Sequence, residues 1–204
     1  MGKKYDSMCH IRDIGLPTVK FKGFSHREAT HNKQAVKEHV EDLLTWEGSY
    51  GIFGVRTEPV GEDKGIGHYP HCYPCHTYQQ AMKFIREHGD SLYYIINEGF
   101  PGDCCEFNAV VRLSDHFGHL KLWGEINYDT KLCLRDAMKD SKNILNVRDV
   151  HNNDMANLRH HMKKAGLVNG ETVEVAKFDN GRMVFWEIQP AEKIEFTIQN
   201  VNLI

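Results

Sequence analysis

The chain has 204 residues, 41% of them apolar and 26% charged, with a formal net charge of -3. That length can bury a core without disulfides or metal, and that balance excludes a disordered chain, a bilayer-spanning segment and a broad basic face for nucleic-acid backbones. Met1 to Ser7 are mostly charged and polar and lack the apolar core of a secretory signal. A cytoplasmic, reducing setting is therefore expected, in which the six cysteines stay thiols or bind metal.

Ser25 and Glu28 have capping-box spacing, and Val36, Val40, Leu43 and Leu44 form one apolar stripe, which predicts a helix over about 26–46. The β-prone run Tyr50 to Thr57 predicts a strand feeding a polar, turn-rich loop. Thr77 and Gln80 repeat the capping box, Ala81, Phe84 and Ile85 keep helical spacing, and Gly89 sits at the C-terminal cap, predicting a helix over 78–88.

Strands are predicted at Leu92 to Asn97, at His119 to Tyr128 and near Ile144 to Val147, with a helix over about 130–140; residues 105–113 alternate as in a strand, the reading preferred, although Phe107, Val110, Val111 and Phe117 also fit a helix face. Met155, Leu158, Met162 and Ala165 then recur at helical spacing before Gly166. Val173 and Val175 alternate, Asp179-Asn180-Gly181 supplies a turn, and Val184, Trp186 and Ile188 return on one face, with Ile194, Phe196 and Ile198 as a third strand. Helices and strands without regular βαβ alternation predict an α+β fold. The expected architecture is one compact domain, residues 1–204, with a mainly antiparallel sheet, three to four helices and a C-terminal β-meander.

His68-Tyr-Pro-His71-Cys72-Tyr-Pro-Cys75-His76 is the densest chemistry in the chain. Cys-x-x-Cys lets two thiolates reach one ion, and a zinc site needs two more ligands. Cys72, Cys75, His76 and Cys104 are the proposed set, with His68, His71, Cys105 and the Cys9-His10 pair as further donors. Two other readings stay open. The thiols pack as small buried side chains, or Cys75, just ahead of the helix capped by Thr77, is acidified by the helix dipole and reactive. The haem-attachment string Cys-x-x-Cys-His also occurs here, without the export signal that covalent haem requires.

Gly102-Asp103-Cys104-Cys105-Glu106-Phe107-Asn108 resembles the nucleophile segment of transglutaminase-like and arylamine acetyltransferase families, which implies a Cys-dependent acyl transferase. Over residues 50–129, Arg56 ends Gly-Ile-Phe-Gly-Val-Arg, Cys75-His76-Thr77 precedes Ala81 and Phe84, and Glu106 or Glu125 follows. This stretch resembles ADP-ribosyltransferase-like domains, although it departs from them at the central Ser. The resemblance implies NAD held beside Arg56 and Thr77, with Arg56 and Glu125 as catalytic residues. The stretch His151 to His161 resembles fragments of His-Asn-His nucleases, but Met155, Leu158 and Met162 make it one amphipathic helix with a solvated histidine face.

These residues support first a binding or regulatory protein with a zinc-stabilised Cys/His loop. The alternatives are an NAD-binding ADP-ribosyltransferase-like enzyme and a Cys-dependent acyl transferase.

Overall fold

The computed structural model describes residues 3–61, 69–128, 144–147, 150, 152–168 and 171–189. They form an α+β protein with two antiparallel sheets. The chain divides into two compact units, one of residues 1–6 and 19–101, the other of residues 7–18 and 102–204. Helix α1, Lys3–Asp13, gives its first residues to one unit and the rest to the other. The sequence pattern does not announce it, because Met8 and Ile11 are its only buried apolar side chains. Among the described residues no helix is long and apolar enough to cross a membrane.

In the first unit, β1 (Phe21–Ser25), β2 (Phe53–Pro59), β3 (His71–Cys75) and β4 (Leu92–Glu98) pair in the order β1-β4-β2-β3. Val36, Val40 and Leu43 of α3 (Lys33–Thr45) pack with Ala81, Phe84 and Ile85 of α4 (Tyr78–His88) against Phe53, Val55, Tyr94 and Ile96. The helix predicted over 26–46 is two helices, α2 (His26–His31) and α3, broken at Asn32. The Asn32 side chain accepts the Ala35 N–H and starts α3 itself, the competition with the backbone that keeps Asn out of helix interiors. The Ser25–Glu28 and Thr77–Gln80 capping boxes both form, and Gly89 ends α4 at φ 71°. The buried Tyr94 hydroxyl donates to the Gly89 carbonyl at the end of α4, and also to the Ile85 carbonyl that accepts the Gly89 N–H.

In the second unit, β5 (Cys105–His116), β6 (His119–Asn127), β7 (Ile144–Asn146), β8 (Thr172–Phe178) and β9 (Met183–Gln189) pair in the order β7-β6-β5-β8-β9. One face carries Phe107, Ala109, Val111, Leu113, Ile126, Val173, Val175 and Phe185, packed against Met155, Leu158 and Met162 of α5 (Asn153–Lys164). Phe117 and Gly118, at φ 53° and 82°, turn β5 into β6 with the twist a tight hairpin needs. Gly124, at φ 139°, lets these strands close up, since a Cβ there would lie 2.0 Å from the Val110 carbonyl oxygen.

The single face predicted for Val184, Trp186 and Ile188 is corrected by a bulge. Glu174 pairs with Glu187 but Val175 with Phe185, so Trp186 is the extra residue. Val184, opposite Ala176, and Ile188, opposite Val173, then lie on different faces. The helix predicted over 130–140 and the strand at Ile194 to Ile198 lie outside the described residues.

Candidate functional site

The face of the second sheet turned away from α5 is polar, and strand register builds it row by row. Asn146, Glu125, Val110, Glu174 and Glu187 are successive cross-strand partners from β7 to β9. On one side lies the row Trp123, Arg112, Thr172 and Gln189, and on the other Asn127, Asn108 and Ala176. Because side chains alternate along a strand, these rows share one face. Glu125, Asn127 and Thr172 are buried in it. Arg112 Nε and Asn108 Oδ1 are buried without a hydrogen-bond partner among the described residues. Buried polar atoms left unmatched cost free energy, so their concentration on one face is the mark of a surface built to meet something polar.

Glu174 and Glu187 stand directly opposite each other, and the Gln189 amide donates to Glu187 Oε1 at 2.8 Å. Opposed carboxylates in a cross-strand pair repel. Carboxylate and amide oxygens are also the hard donors that Mg²⁺ takes, and Mg²⁺ is held by one or two protein carboxylates when phosphates and water complete its shell. Two acidic groups with a neighbouring amide fit that pattern.

On the helix side of the same sheet, a concavity is lined by Asp154, Asn157, His161, Lys177 and Arg182. Lys177 Nζ already sits 2.9 Å from Asp154 and 2.7 Å from Glu106, so these charges are matched internally.

The residues singled out in the sequence fall in different places. Glu125 lies in the carboxylate row. Arg56 is exposed on β2, in register with His71 and Ile95, and the Thr77 hydroxyl accepts the Gln80 N–H as the cap of α4. Cys72 and Cys75 lie on β3 in the first unit, His76 is exposed, and Cys104 belongs to the second unit. Among the described residues no group of three His, Cys, Asp or Glu side chains could hold a metal ion, which overturns the zinc loop. Cys75 is buried in the apolar core beside Phe53.

The acidified Cys75 is corrected too. Burial, then the neighbouring Cys72 thiol, pushes Cys75 up to about 12, because its side chain enters the core and not the helix end. The acyl-transferase nucleophile fails for the same reason. Burial raises Cys105 to about 11, and its thiol donates to the Phe107 carbonyl. Cys104 is raised as well, by burial and then by Asp179 and Asp103.

No protein-family model matches the sequence, and no curated protein does. The three-dimensional structure is similar to solved ligases. D-alanyl-alanine synthetase A from Vibrio cholerae O1 biovar eltor matches with a TM-score of 0.52 and 10% identity, over 92% of this chain and 54% of that one. N5-carboxyaminoimidazole synthetase from Staphylococcus aureus, solved complexed with ADP, matches at 0.52 and 13% identity, over 93% and 44%. These neighbours have the ATP-grasp fold. The chain shares that fold. Macrocyclase MdnC from Microcystis aeruginosa MRC, solved with its precursor peptide MdnA, is a third ATP-grasp neighbour, at 0.51 and 12% identity over 91% and 51%. The chain spans about half the length of these neighbours.

The ATP-grasp fold overturns the ADP-ribosyltransferase-like resemblance and, with it, the NAD expectation. The stretch 50–129 that carried the resemblance is not one domain, since it supplies β2 to β4 to one sheet and β5 and β6 to another. Arg56 and Glu125 belong to different units. A zinc-stabilised regulatory loop and a cysteine acyl transferase fit this fold no better.

The polar face had a signal in the sequence. Thr172-x-Glu174, Glu187-x-Gln189 and Glu125-x-Asn127 are polar pairs at period two inside strands whose intervening residues are apolar. Which of these pairs would be neighbours depends on a strand order that the sequence does not display.

Proposed function

We propose that this chain is the nucleotide-binding part of an ATP-dependent ligase. The observation that carries the reading is the cross-strand pair Glu174–Glu187 with Gln189 beside it, on the polar face of a sheet whose fold is shared with ligases. Glu174, Glu187 and the Gln189 amide would hold a divalent cation such as Mg²⁺, which when bound would offset phosphate charge. The chain's own side chains do the rest of the positioning. The Gln189 N–H to Glu187 fixes one carboxylate oxygen and leaves the other for an ion. Arg112, one row away, presents a buried guanidinium Nε to the same face, where an anionic oxygen would satisfy it.

The test is calorimetric titration of the full chain with ADP and with ATP, with and without Mg²⁺. Mg²⁺-dependent binding that Glu187→Gln weakens at least tenfold supports the reading. Absence of nucleotide binding by the wild-type chain in the presence of Mg²⁺ overturns it.

A further inference from the structure

We propose that Cys72 and Cys75 are a redox modification site, a dithiol that closes reversibly into an intramolecular disulfide. In a regular strand, residues three apart point to opposite faces and lie about 10 Å apart. β3 is not regular there. Cys75 pairs with Phe53 and Cys72 with Val55, so a step of three residues on β3 faces a step of two on β2. This bulge turns both cysteines to the side on which Phe53 and Val55 enter the core. The two sulfurs are 3.0 Å apart, with the Cys75 thiol donating to Cys72 Sγ. Cys104 and Cys105 are engaged elsewhere, with the Asp103 carboxylate and the Phe107 carbonyl.

Burial divides the labour within the pair. β3 is an edge strand, Cys72 is partly exposed, and Cys75 is fully buried. An oxidant from solvent therefore meets Cys72 first. With a small-molecule disulfide as oxidant, the Cys72 sulfur loses its proton, attacks one sulfur of the oxidant and expels the other as a thiolate. Cys75 then gives up its proton, and its sulfur attacks Cys72 Sγ and expels the second thiolate. The protein loses two protons and two electrons, and the small disulfide becomes two thiols.

The site rests on the first unit alone and is independent of the ligase reading. Its test is mass mapping of the tryptic peptide over residues 65–83, which holds both cysteines between Lys64 and Lys83. The full chain is incubated with oxidised glutathione, denatured and alkylated. The expected peptide lacks two hydrogens and carries no alkyl group, and dithiothreitol restores both alkylation sites. Cys75→Ser should leave glutathione trapped on Cys72, whereas Cys72→Ser should leave Cys75 unmodified. A wild-type peptide that stays fully alkylatable, or that keeps glutathione on Cys72, overturns the proposal without reference to either variant.

Discussion

Glu174 on β8 lies directly across from Glu187 on the edge strand β9, so two acidic residues are cross-strand partners on the polar sheet face. Like charges directly opposite each other repel, and a cation between them would relieve that repulsion. Glu187→Gln is expected to raise the stability of the ligand-free chain by up to about 1 kcal/mol. The same change is expected to remove the Mg²⁺ dependence of nucleotide binding. Denaturant unfolding and calorimetry read the two effects separately. A variant less stable than the wild type without ligand would show that the pair is held by the protein itself.

Glu58 gives the first unit a pH dependence. Its buried carboxylate accepts the N–H groups of Lys4 and Tyr5 at the start of α1, and burial is the largest influence on it, raising its pKa above the ordinary glutamate range. A carboxylate with a raised folded-state pKa contributes stability that is present below the unfolded value and lost as pH rises through the folded one. Stability attributable to Glu58 should therefore fall as pH increases upward from the ordinary glutamate value. Glu58→Gln should flatten that slope in unfolding midpoints measured across the window, and an unchanged slope would rule Glu58 out as its source.

Gly124→Ala should destabilise the chain by about 1–3 kcal/mol. The added Cβ would meet the Val110 carbonyl oxygen at 2.0 Å, and the backbone at φ 139° is one that side chains resist. Thermal unfolding measures the loss. A midpoint equal to the wild type would mean that β5 and β6 separate there at little cost.

Thr77→Ala is expected to cost about 1 kcal/mol through the lost cap of α4. Its hydroxyl accepts the Gln80 N–H while the Gln80 side chain accepts the Thr77 N–H, so this residue's chemistry is spent on the helix end. Nucleotide affinity should be unchanged. A fall in affinity without a fall in stability would assign Thr77 a binding role instead.

The elements legible from residue order alone are local ones. The capping boxes at Ser25 and Thr77, the helix from Tyr78 to His88, the Asp179 to Gly181 turn and most strands are specified by neighbours within a few residues, where side-chain spacing and backbone preference act directly. Elements with a faint local signal were missed, such as α1 with its two buried apolar side chains. Tertiary structure decided the rest. Glu174 meets Glu187 because a bulge at Trp186 resets the register, Arg112 shares their face because β5 pairs with β8, and Cys75 enters the core because β3 bulges against Phe53 and Val55. Strand order and bulges are fixed by contacts between residues far apart in the chain, and they turned a segment that looked like a metal-binding loop into an edge strand with one buried cysteine.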